Sequence, residues 1–299
     1  MLHVTVVVAT RNRITGLTRT LGRLADLPDP PQVLVVDNGS TDGTPEQVSR
    51  SFPRVRVLAL SRNEGATARN RGVAAARTPY VAFADDDSWW AADALPRAGA
   101  LFDRHPRLAL IAARTLVGPA GRLDPMSAFM ATAPIGAPPD LPGPAVLGFL
   151  ACAAVVRREA YLACGGFDPV VFFMGEEARL AYDLAAAGWG LAYCADIVAY
   201  HHPAAGCDPV PKQRLAARNR ALTAWMRRPV RTALLDTTAL VRTAGRDADV
   251  RTLASFAARL PRALLHRRAP QPPVEATLAR LAAAEHDAGV RLLLGGDLA

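Results

Sequence analysis

Three consecutive carboxylates, Asp85, Asp86 and Asp87, end the apolar run 80–84. Adjacent carboxylates repel one another, so at a structured position a bound cation is the economical explanation. In an extended or bent segment Asp85 and Asp87 project to one side, and all-oxygen ligation suits Mg²⁺ or Mn²⁺. The plain alternative is an acidic loop capping the helix near Asp93. A second cluster, 37–44, reads Asp-Asn-Gly-Ser-Thr-Asp-Gly-Thr. Its Ser, Thr and Asp before Pro45 would cap a helix in any fold. A third, 63–72, places Gly65, which permits close backbone approach, ahead of Arg69, one turn into a helix. A helix N-terminus with an arginine can hold phosphate oxygens. Glu176 and Glu177 open a further helical stretch after Gly175. They read either as a base that deprotonates a substrate or as first-turn acids favoured by the helix dipole.

Alternating strands and helices must position these groups. Strand-like runs at 2–9, 33–36, 55–60 and 80–84 alternate with helical stretches: Leu17, Leu21 and Leu24 at helical spacing, a helix from Pro45, and another over 66–76. That order predicts a parallel sheet with helices on both faces, and ligands at the carboxyl ends of its strands. Thr10 to Arg13, Asp37 to Asp42 and Asp85 to Asp87 all fall there. Beyond 105 the expected elements are a strand over 108–114, a long Pro- and Gly-rich loop over 118–144 that could cover a site, and a strand over 149–156. Helices at 158–164 and 176–187 and a strand at 191–200 follow. From 210 the chain reads as helices, with Val250, Leu253, Phe256, Leu260 and Leu264 as an apolar stripe. Trp89 and Trp90 are expected to pack beside the acidic loop.

Composition narrows the class. At 299 residues, 51% hydrophobic and 21% charged, the chain can bury a sizeable core, which excludes global disorder. Cys152, Cys164, Cys194 and Cys207 are too widely spaced for a zinc knuckle or redox pair and too sparse for a disulfide scaffold, so a reducing cytoplasm is expected. The first strand-like run has no basic stretch before it and no cleavage site after it, unlike a signal peptide. The window 141–156 is uncharged but short and broken by Pro142, Gly143, Pro144 and Gly148, so no bilayer span is expected. The net charge of +8 lies in residues 206–299, which hold 16 Lys+Arg against 8 Asp+Glu. This tail reads as a solvated surface or as a basic face toward a partner, membrane or acidic acceptor.

The succession Val-Val-Val-Ala-Thr-Arg-Asn-Arg (6–13), Val-Asp-Asn-Gly-Ser-Thr-Asp-Gly-Thr (36–44), Asn-Glu-Gly-Ala-Thr-Ala-Arg-Asn-Arg-Gly (63–72) and Phe-Ala-Asp-Asp-Asp (83–87) resembles family 2 glycosyltransferases of the GT-A fold. The likeness covers roughly 1–205 and is best before 90. It implies an α/β fold with a Rossmann-like mixed sheet flanked by helices, in a domain 1–205. Residues 1–104 would be the nucleotide-sugar half, 105–205 the acceptor half, and 206–299 a basic helical extension. The implied activity is transfer of a sugar from a nucleoside-diphosphate sugar to an acceptor with inversion, using Mn²⁺ or Mg²⁺.

By the same resemblance Thr10, Arg13, Asp37, Asn63 and Arg69 serve the donor, together with Asp85 and Asp86. Asp85 and Asp87 match the outer metal-motif aspartates, and His202 rather than His201 is expected to meet the metal or diphosphate. Glu177, with Glu176 next, matches the catalytic base. Here the chain departs from the family: Glu stands where the motif has Asp, and Ala178-Arg179-Leu180 lacks a further acid. Arg214, Arg218 and Arg220 are candidates to close over donor phosphates, or solvated helix arginines. The acceptor class is open among small molecule, glycan and lipid-linked species, no nucleic acid is expected, and the basic tail is a candidate for peripheral contact with the inner face of the membrane. Competing readings are a nucleotidyltransferase, which would want a glycine-rich loop after the first strand, and a non-catalytic nucleotide-sugar-binding scaffold. A dinucleotide oxidoreductase lacks its Gly-x-Gly-x-x-Gly.

Overall fold

The computed structural model describes residues 3–203, 209–269 and 271–287. Cys207 and the extreme C-terminal residues lie outside these segments. The first half alternates as expected: β1 (Val4–Thr10), α1 (Ile14–Ala25), β2 (Gln32–Asp37), α2 (Thr44–Ser51), β3 (Arg56–Ala59), α3 (Ala68–Ala75) and β4 (Tyr80–Asp85). After the acidic loop come β5 (Ser88–Trp90), α4 (Ala94–Arg104), β6 (Leu108–Val117), β7 (Arg122–Leu123) and α5 (Pro125–Ala131). Then follow β8 (Ala154–Arg157), α6 (Arg158–Ala163), α7 (Glu176–Ala186) and β9 (Gly190–His201). Four helices complete the described chain: α8 (Pro209–Arg227), α9 (Val230–Arg246), α10 (Val250–Leu265) and α11 (Pro272–Asp287).

The strands form one mixed sheet in the order β3-β2-β1-β4-β8-β6-β9-β5, with β7 paired to β6. β3, β2, β1 and β4 run parallel, and β8 lies antiparallel to both β4 and β6. Alternation along β1 sends Val4, Val6 and Val8 into the core beneath α1 and α4, and Val7 into the opposite core beneath α3, α6 and α7. Both faces are therefore covered, as a parallel sheet requires. Leu17, Leu21 and Leu24 of α1 are buried on one face, each worth roughly 1.5–3 kcal/mol relative to exposure.

Two sequence expectations change. Segment 118–144 contains a two-residue strand and a helix, with Ser127 Oγ of α5 accepting from the Thr115 amide of β6 (2.9 Å), so it is not one long loop. The strand expected over 149–156 is split: a 3₁₀ turn, Ala151–Ala153, precedes β8. The Ala151 amide reaches the Glu177 carboxylate (3.4 Å), and the Ser88 hydroxyl donates to the Cys152 carbonyl (3.2 Å), so site contacts interrupt the ladder. The helices after 209 pack on the chain at Val170 and Val171 through Ala221, Leu222, Met226, Leu240 and Phe256. A buried ionic seam reinforces the join: Arg227 pairs with Asp183, Arg179 with Asp183 at 2.8 Å, and His266 with Asp168 at 2.9 Å. No helix among the described residues is long and apolar enough to cross a membrane.

Candidate active site

Register brings the loops after β1, β2 and β4 together. β1 pairs Thr10 with Asp37 of β2 and Ala9 with Asp85 of β4, so the loops leaving all three strands depart from one sheet edge. Two asparagines stitch them. Asn12, at a left-handed φ of 53°, donates its amide to Ser40 Oγ (2.9 Å) and accepts from the Thr41 amide (2.8 Å). Asn38 donates to the Gly65 carbonyl (2.9 Å) and accepts from the Glu64 amide (2.6 Å). Asp37 is 1% exposed, and its Oδ2 accepts from the Ser40 amide (2.9 Å). Its Oδ1 is buried without a partner. Such an oxygen costs about 1–3 kcal/mol unless a ligand N–H completes it. Asn63 is exposed, and its side chain accepts from the Gly65 amide (2.9 Å), which makes it a brace of the turn.

The three aspartates are not equivalent. Asp85 faces Arg69 in a short ion pair, and its amide donates to Ser88 Oγ (2.8 Å). Asp86 turns inward, accepting from Thr10 Oγ1 (3.1 Å) and lying 3.3 Å from Arg13 Nε, while its carbonyl accepts from Thr20 (3.0 Å). Burial first, and then the charge of Asp87, push the Asp86 carboxyl up to about 6. Asp87 sits 3.4 Å from Arg13 Nη2 and 3.5 Å from His201 Nε2. Burial opposes protonation of His201, but the adjoining Asp87 prevails and raises its imidazole above the ordinary range. The imidazole beside Asp87 therefore belongs to His201, one residue before the expected His202. The His202 ring lies on Trp89, centroids 4.6 Å apart, and only its amide reaches Asp87, at the carbonyl (2.8 Å).

From the second half of the chain, Gly175 at φ 79° precedes α7 and delivers Glu176 and Glu177 to the same cluster. Glu176 is buried 3.8 Å from Arg69 Nη1, with Oε2 unpartnered. Glu177 is partly buried and accepts from the Ala151 amide. Burial raises the proton affinity of both, and for Glu176 the neighbouring Glu177 charge adds to it. Carboxylates so tuned are stronger bases near neutral pH. Arg69 is buried between Asp85 and Glu176; burial works against its charge, and the two carboxylates hold it firmly protonated. One guanidinium thus joins Asp85 of the aspartate loop to the glutamate pair that opens α7.

Three arginines considered for the donor phosphates are engaged elsewhere. Arg214 lies 3.4 Å from Asp247 and 3.4 Å from Asp249, and Arg220 lies 3.6 Å from Asp236, all within the helical extension. Arg218 is buried and donates to Ser255 and Asn219. Arg214 and Arg220 are thus held by acids of the helical extension, and Arg218 by neutral side chains. The contributions of Asn12, Asn38, Ser88 and the 151–153 turn were not singled out from sequence, because each acts through main-chain atoms of a segment remote in the chain.

The profile of Glycosyl transferase family 2 matches residues 5–164, more than half of the sequence. The chain belongs to glycosyl transferase family 2. This glycosyltransferase is 30% identical over 256 residues to the N-acetylglucosaminyl-diphospho-decaprenol L-rhamnosyltransferase of Mycobacterium tuberculosis, covering 71% of the chain and 82% of the relative. It is 33% identical over 202 residues to the pre-mycofactocin glycosyltransferase of the same species, covering 64% of the chain but 40% of that protein. Among solved structures it resembles a mannosyltransferase from Pyrobaculum calidifontis in complex with GDP-Man and Mn²⁺, with TM-score 0.60, 22% identity, and coverage of 95% and 80%. It also resembles S. aureus TarS 1–349 in complex with UDP-GlcNAc, with TM-score 0.56, 18% identity, and coverage of 96% and 92%. These likenesses establish the GT-A architecture, a mixed sheet flanked by helices with further helices at its C-terminal side.

Proposed function

We propose that this glycosyltransferase moves a sugar from a nucleoside-diphosphate donor to a lipid-linked acceptor with inversion at the anomeric carbon, with Glu177 as the base. The observation that carries the reading is Arg69, which pairs with Asp85 on one side and lies 3.8 Å from Glu176, the neighbour of Glu177, on the other, so that a leaving-group side and a deprotonating side would share one site. The unpartnered Asp37 Oδ1 supports a role in receiving an N–H of the nucleotide base. Glu176, buried against Arg69, fixes that guanidinium; the more exposed Glu177 is free to take a proton from an acceptor hydroxyl. The lipid-linked class is supported by the diphospho-decaprenol acceptor named for the Mycobacterium tuberculosis relative.

A divalent cation fits the donor side. Asp87 and His201 converge at 3.5 Å with hard oxygen and imidazole donors, and a cation would offset the repulsion from Asp87 and Asp85 that adds to burial in raising Asp86. Among the described residues no three His, Cys, Asp or Glu side chains form a ready cage, so substrate oxygens would complete the coordination of Mn²⁺ or Mg²⁺ by Asp87, Asp85 and His201. When bound, the ion would neutralise charge on the departing diphosphate. Arg13, already beside Asp86 and Asp87, supplies further positive charge at that edge.

The test is product stereochemistry by NMR, with polyprenyl-diphosphate N-acetylglucosamine as acceptor and a panel of nucleotide sugars as donors. Inversion is expected, and Glu177→Gln should lower kcat about 100-fold or more, the usual weight of a general base, with donor KM little changed. Retained configuration, or full turnover by Glu177→Gln, would overturn the reading.

A further inference from the structure

The glutamates reach the site on a strained turn that the helical extension holds in place. Phe172 and Met174 adopt left-handed φ values of 70° and 69°, and Gly175 follows at 79°. Two left-handed positions within three residues, both occupied by large side chains, persist only when their surroundings over-determine them. Asn219 of α8, fully buried, donates its side-chain amide to the carbonyls of both Phe173 and Met174, each at 2.6 Å. Its Oδ1 accepts from Arg218 Nε (3.0 Å) and Nη2 (2.8 Å). Arg218 also donates to the Val171 carbonyl (3.3 Å) and to Ser255 of α10 (2.8 Å). Among the described residues no carboxylate pairs with this buried guanidinium, and burial together with Arg259 lowers its pKa to about 10. Its fork onto Oδ1 fixes which way the amide faces and polarises Nδ2 toward the two carbonyls. On the other side of the turn, the Phe172 carbonyl accepts from the Ala66 amide (2.6 Å), beside the helix that carries Arg69.

We propose that Asn219, oriented by Arg218, is a positioning residue for the catalytic base: it locks the Phe172–Gly175 turn and so sets where Glu176 and Glu177 meet the donor side. The proposal rests on the assignment of the base to that glutamate pair. It makes the C-terminal helices a working part of the active site, linked to it through two main-chain carbonyls.

The experiment uses Asn219→Asp in the full chain. The substitution is nearly isosteric and gives Arg218 a counter-ion, but it sets a carboxylate oxygen against two carbonyls. Two readouts are compared with the parent: hydrogen exchange of peptides covering 171–178, and Mn²⁺-dependent hydrolysis across UDP-, GDP- and dTDP-linked sugars, with water as the acceptor. Exchange should rise in 171–178 while the sheet stays protected, and kcat per folded molecule should fall between about ten- and 100-fold with donor KM nearly constant, as a displaced catalytic group requires. Trp225→Phe removes the bond from Trp225 to Thr237 between α8 and α9 (2.9 Å) and serves as a purely structural comparison. It should lower Tm without moving kcat. Unchanged exchange at 171–178, or raised exchange with unchanged kcat, overturns the positioning role. Glu176→Gln and Glu177→Gln run alongside. If they lose turnover and Asn219→Asp does not, only the positioning role fails. If both keep full turnover, the base assignment fails and this proposal fails with it.

Discussion

Gly65→Ala is expected to destabilise the protein sharply, although it adds a single methyl group. Gly65 has φ 62°, and an added Cβ would lie far inside van der Waals contact with the Phe172 carbonyl oxygen and ring. The left-handed conformation alone costs alanine about 1–2 kcal/mol. The carbonyl cannot retreat freely, because the next two carbonyls are held by Asn219 and its own bond to the Ala66 amide would break, at about 0.5–1.5 kcal/mol. The sum is about 1.5–3.5 kcal/mol, or roughly a 2–6 °C fall in Tm for a chain of this size. Gly22→Ala is the matched comparison. Gly22 lies inside α1 with nothing within 4 Å of an added Cβ, so alanine there should stabilise by about 0.5–1 kcal/mol through backbone entropy. Calorimetry of the two variants beside the parent reads both signs. A Gly65→Ala protein that melts with the parent would refute the claim that the donor-side turn and the Phe172 loop are locked together.

Arg227→Met leaves Asp183 short of a buried partner and should cost about 3 kcal/mol in urea unfolding, far more than an exposed pair such as Arg97 with Asp93. Burial raises Asp168, but the His266 bond and other partners outweigh it and hold its carboxyl below the unfolded value of 3.8. Its contribution is therefore present above 3.8 and is lost as the pH falls through the depressed folded value, so Asp168→Asn should flatten the acid limb of a stability–pH profile. Parallel acid limbs for variant and parent would count against that assignment. Glu176→Gln should retain more donor hydrolysis than Glu177→Gln; the reverse order would move the base to Glu176.

The first ninety residues were legible because their signals are local. Val6 to Val8, Val33 to Val36 and Val81 to Phe83 are apolar strands closed by polar turns, so Thr10, Asp37 and Asp85 could be placed at one sheet edge before any coordinates. The acceptor half was harder to read for a physical reason. Its ladder is broken where the Ala151 amide and Cys152 carbonyl bond to Glu177 and Ser88, and no periodicity announces a strand interrupted by such contacts. The choice between His201 and His202 turned on strand alternation at the last residues of β9, where one position decides which ring faces Asp87. Asn219 carried no sequence signal. Its partners lie 46 and 45 positions away and are carbonyls, which every residue possesses.

The central claim is that Asp87 at the donor edge makes this site a cation-assisted sugar transferase. Release of nucleoside diphosphate from a nucleotide-sugar panel, measured in Mn²⁺ and in EDTA for the parent and Asp87→Asn, tests it most directly. Turnover confined to the parent in Mn²⁺, with Asp87→Asn slower by about 100-fold or more, is the predicted result. Equal rates in EDTA, or an Asp87→Asn protein as fast as the parent, would contradict it.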